Sequence, residues 1–376
     1  MRNNVVLYRL CSVAALCCGI AASALSPAHG LMVYGPQGYN PINDANEYSR
    51  IGLEHAGIWT IPTQDGSPRL NADGSYFAEA MAWPISPNWA LIANHVGVIP
   101  GGKIFHNGVL HEVQSQTYVG GDLKLVRVAS TFSSYALMYD PTQDGGSEVG
   151  METVVFGRST AMKDVNSPIT TNNGTFLNGW NPTSFPYEGL GKANWGRNRI
   201  EGILPNVLNS EVIYTTFDGA TLPDGSPNPR HIGPDEVAAY NGDSGGAMFV
   251  KQNGQWRIAG SIYAVSAFYR EQNTPWQDFT YGAIIDGRNL WADFYVDENN
   301  PSAGTVRRMV TDTEPVPSAI YAARVAAYRT NIDRITGQTA GLGAFTVPEA
   351  GTLPMVLGGV GCWVLGAITV RRCRNR

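Results

Sequence analysis

The sequence predicts an all-β globular domain, and three observations carry the prediction. Glycine (43 residues) and proline (23) are frequent. Charged residues make up only 15% of the 376, with a net charge of −5. Short β-branched or aromatic runs recur along the chain, each closed by turn-forming residues, the pattern of antiparallel strands. No internal repeat is visible in the sequence.

Residues 1–24 carry Arg2 and Arg9, then an apolar run from Leu10 to Ala22. The small-x-small triplet Ala22-Ser23-Ala24 follows, with Ala28-His29-Gly30 as a later site, so the segment reads as a secretory signal peptide cleaved at 24 or as late as 30. The folded domain is expected over 31–340. Tyr48 to Ile61 is expected as an early strand and Trp89 to Ala93 as a buried one. Leu123, Leu125 and Val128 mark a strand directly after Asp122. His106 and His111 lie in a glycine-bearing hairpin stretch and are expected at the surface. Asp140-Pro141 reads as a turn. Met151 to Phe156, Glu211 to Thr216 and Trp256 to Ile262 are further strands. Residues 165–205 read as a long surface loop with some hairpin character, and 287–315 as a second insertion. A helix is expected over Ile320 to Thr336. There Tyr321, Val325, Tyr328, Ile332 and Ile335 recur at helical spacing on one face, and Gly337 ends it.

Residues 341–352 form a linker that contains Val347-Pro348-Glu349-Ala350. An apolar run from Leu353 to Val370 and the basic cluster Arg371, Arg372, Arg374 and Arg376 follow, over 353–376. The run is near the lower limit for a spanning helix, and the arginines would stay cytoplasmic. All five cysteines (Cys11, Cys17, Cys18, Cys362 and Cys373) lie in these terminal segments. The 31–340 domain therefore has no disulfide and no thiolate metal site. Its size compensates, because a chain of ~300 residues buries about three quarters of its unfolded surface. No dinucleotide fingerprint, P-loop or H-E-x-x-H motif occurs, so no cofactor or metal is expected. The acidic balance, without a basic patch interleaved with aromatics, does not suggest nucleic acid as a partner.

The chemistry concentrates at Asn241-Gly242-Asp243-Ser244-Gly245-Gly246-Ala247. A serine hydroxyl needs a base to take its proton and donors to receive an oxyanion. The glycines around Ser244 allow a tight turn in which the N–H groups of Gly242 and Ser244 can converge. The string also fits G-x-S-x-G, the nucleophile elbow of α/β-hydrolases, whose base follows the serine. The six histidines are His29, His55, His95, His106, His111 and His231, and all precede Ser244. An order of His, then Asp, then Ser can be filled. His95 ends the apolar Trp89–Ala93 strand, and Asp122 opens the next apolar strand, where its carboxylate could hold the imidazole tautomer. Asp140 is the fallback acid.

These three segments resemble those of the chymotrypsin/trypsin-like serine proteases. Gly242 to Gly246 is similar to the family's GDSGG, Trp89 to His95 to its strand ending in His, and Asp122 to Val128 to its Asp-led strand. The resemblance covers roughly residues 50–336 and is loose between the motifs. It implies two six-stranded antiparallel β-barrels with a C-terminal helix, His95 and Asp122 on the first barrel and Ser244 on the second. It implies a secreted serine endopeptidase acting on protein or peptide substrates through an acyl-enzyme, with His95, Asp122 and Ser244 catalytic and the Gly242 and Ser244 amides as oxyanion hole. In the trypsin subgroup an Asp six residues before the serine binds basic side chains. Here that position is Ala238, followed by Ala239, and Val265 stands where a pocket glycine is common. A small or medium apolar P1 residue is therefore expected. Tyr263 replaces a serine that commonly bonds the orienting Asp. The family's activation pairs a new N-terminal amine with the Asp before the serine, here Asp243, and Arg50-Ile51 has near-family spacing for that cleavage. Rival readings are a non-catalytic surface or matrix binding protein on the same fold, and an esterase.

The C-terminal arrangement resembles the PEP-CTERM sorting signal of Gram-negative bacteria, with Ala350 in place of the final proline. It implies a signal peptidase and an exosortase-like enzyme as processing partners. The expected location is the inner membrane, held through the C-terminal segment, and then the cell surface or the exterior. A plain anchor is the alternative.

Overall fold

The computed structural model describes residues 31–34, 46–60, 79–143, 146–159, 192–239, 242–266, 283–295 and 305–337, with isolated positions and short strand segments between them. The expected signal peptide, linker and C-terminal apolar segment lie outside the described residues, as does Asn241. Among the described residues no helix is long and apolar enough to cross a membrane.

The first half is a closed barrel. Its strands are β1 (Gly57–Thr60), β2 (Ala80–Ser86), β3 (Trp89–Ala93), β4 (Lys103–His106), β5 (Val109–Gly120) and β6 (Leu123–Val128). They close in the order β1-β2-β3-β6-β5-β4. Alternation along each strand sends Ala80, Ala82, Ala90, Ile92, Val126 and Val128 inward around Trp59. Alanines suit these positions because Trp59 fills the space: a Cβ on Gly102 would fall 1.9 Å from its ring. The other parity, Met81, Trp83, Ile85, Leu91, Leu123 and Leu125, joins a second core shared with the rest of the domain. β2 is consequently buried on both faces.

The second half is one sheet of β7 (Glu152–Ser159), β8 (Lys192–Arg199), β9 (Gly202–Val207), β10 (Ser210–Thr216), β11 (Ala247–Gln252), β12 (Gln255–Val265) and β13 (Ala319–Arg324). Its path runs β8-β7-β11-β12-β13-β10-β9, with Leu137–Met138 pairing in parallel to β12 off that path. With β9 set aside as the hairpin partner of β10, the remaining strands keep the neighbour relations of the barrel, cut between the second and third (β8 and β10). At the cut, the Asn198 side-chain amide donates to Thr216 O (2.9 Å) and Val237 O (3.0 Å). The connectivity thus repeats although the residues do not.

Several sequence expectations change. The helix α1 spans Val325–Thr336, not Ile320 to Thr336. Residues 319–324 form β13, a central strand paired with both β10 and β12, and burial between them outweighs the helical spacing. Gly337 (φ 74°) ends the helix as expected. His106 and His111 are buried, not at the surface, although their strands do form a hairpin. They pack on Phe132 with ring centroids 5.3 and 4.5 Å away, and burial pushes His106 down to about 4. Of Tyr48 to Ile61, residues 57–60 form a strand, and a short 3-10 turn (Leu53–His55) precedes them. Within 165–205, β8 is a sheet strand with Trp195 fully buried, so this part is core and not loop. The 287–315 insertion holds an antiparallel hairpin, Trp291–Tyr295 with Thr305–Met309.

α1 bears on the turn between β5 and β6. Gly120 (φ 144°) and Gly121 (φ 54°) make that turn against the Tyr328 ring. A Cβ on Gly121 would fall 2.3 Å from Tyr328 Oη. Asn331 Nδ2 donates to Val119 O at 3.0 Å, and the Tyr328 hydroxyl accepts the Glu211 N–H at 2.9 Å. Gly150 also has positive φ (85°) but has nothing near its missing Cβ. Gly150→Ala is expected to cost about 1–2 kcal/mol from left-handed strain alone. Gly121→Ala adds the collision and should cost about 1–3 kcal/mol more. Equal losses in denaturant unfolding would refute this clamp.

Candidate active site

The register of two neighbouring strands builds half of the site. Ala93 at the end of β3 pairs with Leu123 at the start of β6. The next residues therefore lie side by side, and Asn94 N–H donates to Asp122 O at 2.9 Å. His95 N–H donates to Asp122 Oδ1 at 2.9 Å, and His95 Nδ1 lies 2.7 Å from Asp122 Oδ2. A carboxylate only accepts, so Nδ1 carries the proton and Nε2 presents a lone pair. Ser244 Oγ lies 2.7 Å from that Nε2. Asp122 is buried and His95 half-buried, so exposure rises along this chain of hydrogen bonds from the acid to the imidazole.

The serine loop is held by its glycines. Gly242 (φ 101°) and Gly245 (φ 80°) adopt left-handed backbone that side chains resist. A Cβ on Gly245 would fall 2.3 Å from Met81 O, and one on Gly246 2.4 Å from Phe156 O. Trp83 Nε1–H donates to Gly245 O at 2.8 Å, tying the loop to the first barrel. Gly245 N–H and Gly246 N–H donate to Ile262 O (3.0 Å) and Asp243 O (2.8 Å). Among the described residues the N–H groups of Gly242 and Ser244 have no backbone acceptor, so both can serve an oxyanion. Tyr263 sits at a pairing irregularity of β12, its ring centroid 6.0 Å from that of His95.

The three expected pocket residues are all buried. Ala239 and Val265 share one apolar cluster, while Ala238 packs with Met32, Phe217 and Ala283. Asp140 is not in the relay. Its carboxylate accepts from Thr142 and Gln143 and makes the expected turn.

Three features escaped sequence reasoning. Leu31 to Val33 is fully buried, and Met32–Val33 pairs with Val237–Ala238. Asn194 Nδ2 donates to Leu31 O at 2.9 Å. A Cβ on Gly157 would fall 2.4 Å from Asp243 Oδ1 and 2.7 Å from Leu31 Cγ, so the two residues share one niche. The second feature is Lys124, buried beside the relay. The third is a carboxylate cluster around Glu236, just before Val237–Ala238. The Thr216 hydroxyl bonds both Glu201 and Asp218, and Asp218 N–H donates to Glu236. Ile232 N–H (2.9 Å) and His231 Nδ1 (2.7 Å) also meet Glu236. The signal for Leu31 was available: a Gly followed by an apolar triplet before a turn-rich stretch. No local signal announces the other two.

No family model matches the chain, and no curated protein matches it.

Burial raises Glu236 from the ordinary 4.5 to about 8, against the pull of the Asp218 and Ile232 N–H groups. The Asp218 and Glu201 carboxylates add to the rise. The native protein thus keeps a proton that the unfolded chain releases. The stabilisation is complete below the unfolded value and is lost as pH climbs through about 8. Denaturant unfolding across pH 5 to 9 is expected to show Glu236→Gln losing less stability than the parent, by up to about 1.4 kcal/mol per pH unit. Parallel curves would refute the assignment.

Proposed function

We propose that the chain is an exported serine endopeptidase of the chymotrypsin/trypsin-like kind, hydrolysing peptide bonds through an acyl-enzyme. The observation that carries this reading is the unbroken relay from Asp122 Oδ2 to His95 Nδ1 (2.7 Å) and from His95 Nε2 to Ser244 Oγ (2.7 Å). Ser244 Oγ attacks the substrate carbonyl as its proton passes to Nε2, and Asp122 stabilises the imidazolium. The Gly242 and Ser244 amides receive the oxyanion. His95 then protonates the leaving amine, and water releases the acyl group by the same steps in reverse. The shared strand connectivity supports reading the second half as a barrel left open at the β8–β10 seam.

Ala238, Ala239 and Val265, with Met32, Phe217 and Ala283 behind Ala238, support a small or medium apolar P1 preference. Both Glu236 oxygens are taken by neighbours, which leaves no charge aimed at a basic side chain from that residue. Arg50–Ile51, which has near-family spacing for an activation cleavage, is a poor site for one. Ile51 N–H donates to Tyr48 O at 3.3 Å, and a Cβ on Gly52 would strike the Phe249 ring at 2.4 Å, so this stretch is packed as continuous chain. Cleavage after Gly30, the later signal-peptide site, would instead free the Leu31 amine beside Asp243. Removal of the leader would then complete the site without a separate zymogen step. Export and sorting through the two terminal segments rest on the sequence.

The purified protein is expected to react covalently with a fluorophosphonate, and Ser244→Ala to lose this completely. His95→Ala should react about 10²–10⁴-fold more slowly. A folded parent that stays unlabelled would overturn the hydrolase reading and leave a binding protein on this fold. N-terminal sequencing of the secreted form should begin at Leu31, and a form beginning at Ile51 would overturn the activation reading.

A further inference from the structure

Lys124 has no evident reason to be a lysine. It stands on β6 with the inward parity of Val126 and Val128, whose neighbours are the apolar side chains filling the barrel. An aliphatic residue would pack there without the cost of burying an ammonium. Lys124 is nevertheless only 6% exposed. Its Nζ donates to Val96 O at 2.5 Å and to Gln116 Oε1 at 3.1 Å. Val96 directly follows His95. Its carbonyl also accepts Val98 N–H (2.9 Å), while its own N–H donates to Ala93 O (3.3 Å). The ammonium therefore pins the turn that carries the imidazole. Lys124 also lies two residues from Asp122. Burial lowers the Lys124 ammonium while the Asp122 carboxylate supports it, so the two charges feel each other.

We propose that Lys124 is a positioning residue of the relay: its ammonium fixes the His95–Val96 peptide and partly offsets the Asp122 charge that acts on the imidazole. The proposal rests on the serine endopeptidase reading for its kinetic consequences, but not for its structural ones. Among the described residues the ionisable groups around the pair are few. Asp122 and His95 face each other, Tyr263 reaches His95 from β12, and Tyr328 of α1 is coupled to Asp122. Lys124 is the cation among them, so its removal leaves the imidazolium held by Asp122 unopposed.

The test uses the full protein with Lys124→Met, which keeps length and apolar stem, and Lys124→Arg, which keeps the charge. Fluorophosphonate reaction of Lys124→Met is expected to slow about 10–100-fold. Its acid limb should move up by about one pH unit. Lys124→Arg should retain the limb position of the parent. Proton NMR of the His95 Nδ1–H should show a displaced or exchange-broadened resonance in Lys124→Met alone. A Lys124→Met protein with the parent's rate, pH profile and imidazole resonance would overturn the proposal. If the parent itself does not react, the hydrolase reading fails, and the imidazole resonance still decides the role of Lys124. If Lys124→Met does not fold, Lys124→Arg decides: a shifted acid limb or imidazole resonance in a folded Lys124→Arg overturns the proposal.

Discussion

Backbone of the serine loop rests directly on backbone of the first barrel, and the rest of the domain is arranged around that contact. The Met81 carbonyl occupies the space where a Gly245 side chain would stand, and the Trp83 indole reaches across to the Gly245 carbonyl. No side chain intervenes to act as a cushion. The distance between the halves is therefore set by van der Waals contact and one directional bond, which are stiff over fractions of an ångström. Phe249 and Phe156 close around Trp83, with ring centroids 5.2 and 6.2 Å away, so the same indole that bonds the loop is wedged by the second half. A hydrogen bond from Ser244 to His95 across such a junction requires this stiffness, because its two partners belong to different halves.

The remaining members of the relay are placed by ladder geometry. His95 and Asp122 are neighbours because β3 and β6 are neighbours, and the Ala93–Leu123 pair leaves no freedom in their relative height. The turn that delivers Asp122 is pressed by Tyr328, and the turn that delivers His95 is held by Lys124. Each flexible corner thus has one side chain from elsewhere against it. Asp122 and Lys124 are buried and partnered, which suits a site that holds one geometry in a low-dielectric setting.

Ser244, His95 and Asp122 were legible because each sits in a short string whose chemistry is local: glycines around a hydroxyl, an apolar strand ending in an imidazole, an acid opening a strand. Strand content was legible for the same reason. The boundary between β13 and α1 was not, since Tyr321 to Ile335 keeps helical spacing across both, and only pairing to β10 and β12 distinguishes them. His106 and His111 look like surface residues in a hairpin, and their burial depends on Phe132, some twenty residues away. The niche shared by Leu31 and Asp243 joins segments far apart in the chain, so no window of sequence contains it. The connectivity repeat left no trace at all, because strand order constrains patterning and not identity.

The sequence separation within the relay has a consequence in time. All pairings of the first barrel fall between residues 57 and 128, whereas Ser244 lies 149 residues beyond His95. Loop closure favours the nearer partners. A chain emerging from its N-terminus can therefore pair the barrel strands, with His95 and Asp122 side by side, long before the serine loop exists. The serine finds its seat only when Gly245 docks on a finished surface, and Met32–Val33 can pair only after residues 237–238 have arrived. Assembly order thus holds His95 and Asp122 apart from Ser244 until the first barrel is built, and leaves β13 and α1, later still in the chain, to close the sheet and clamp the turn beside Asp122.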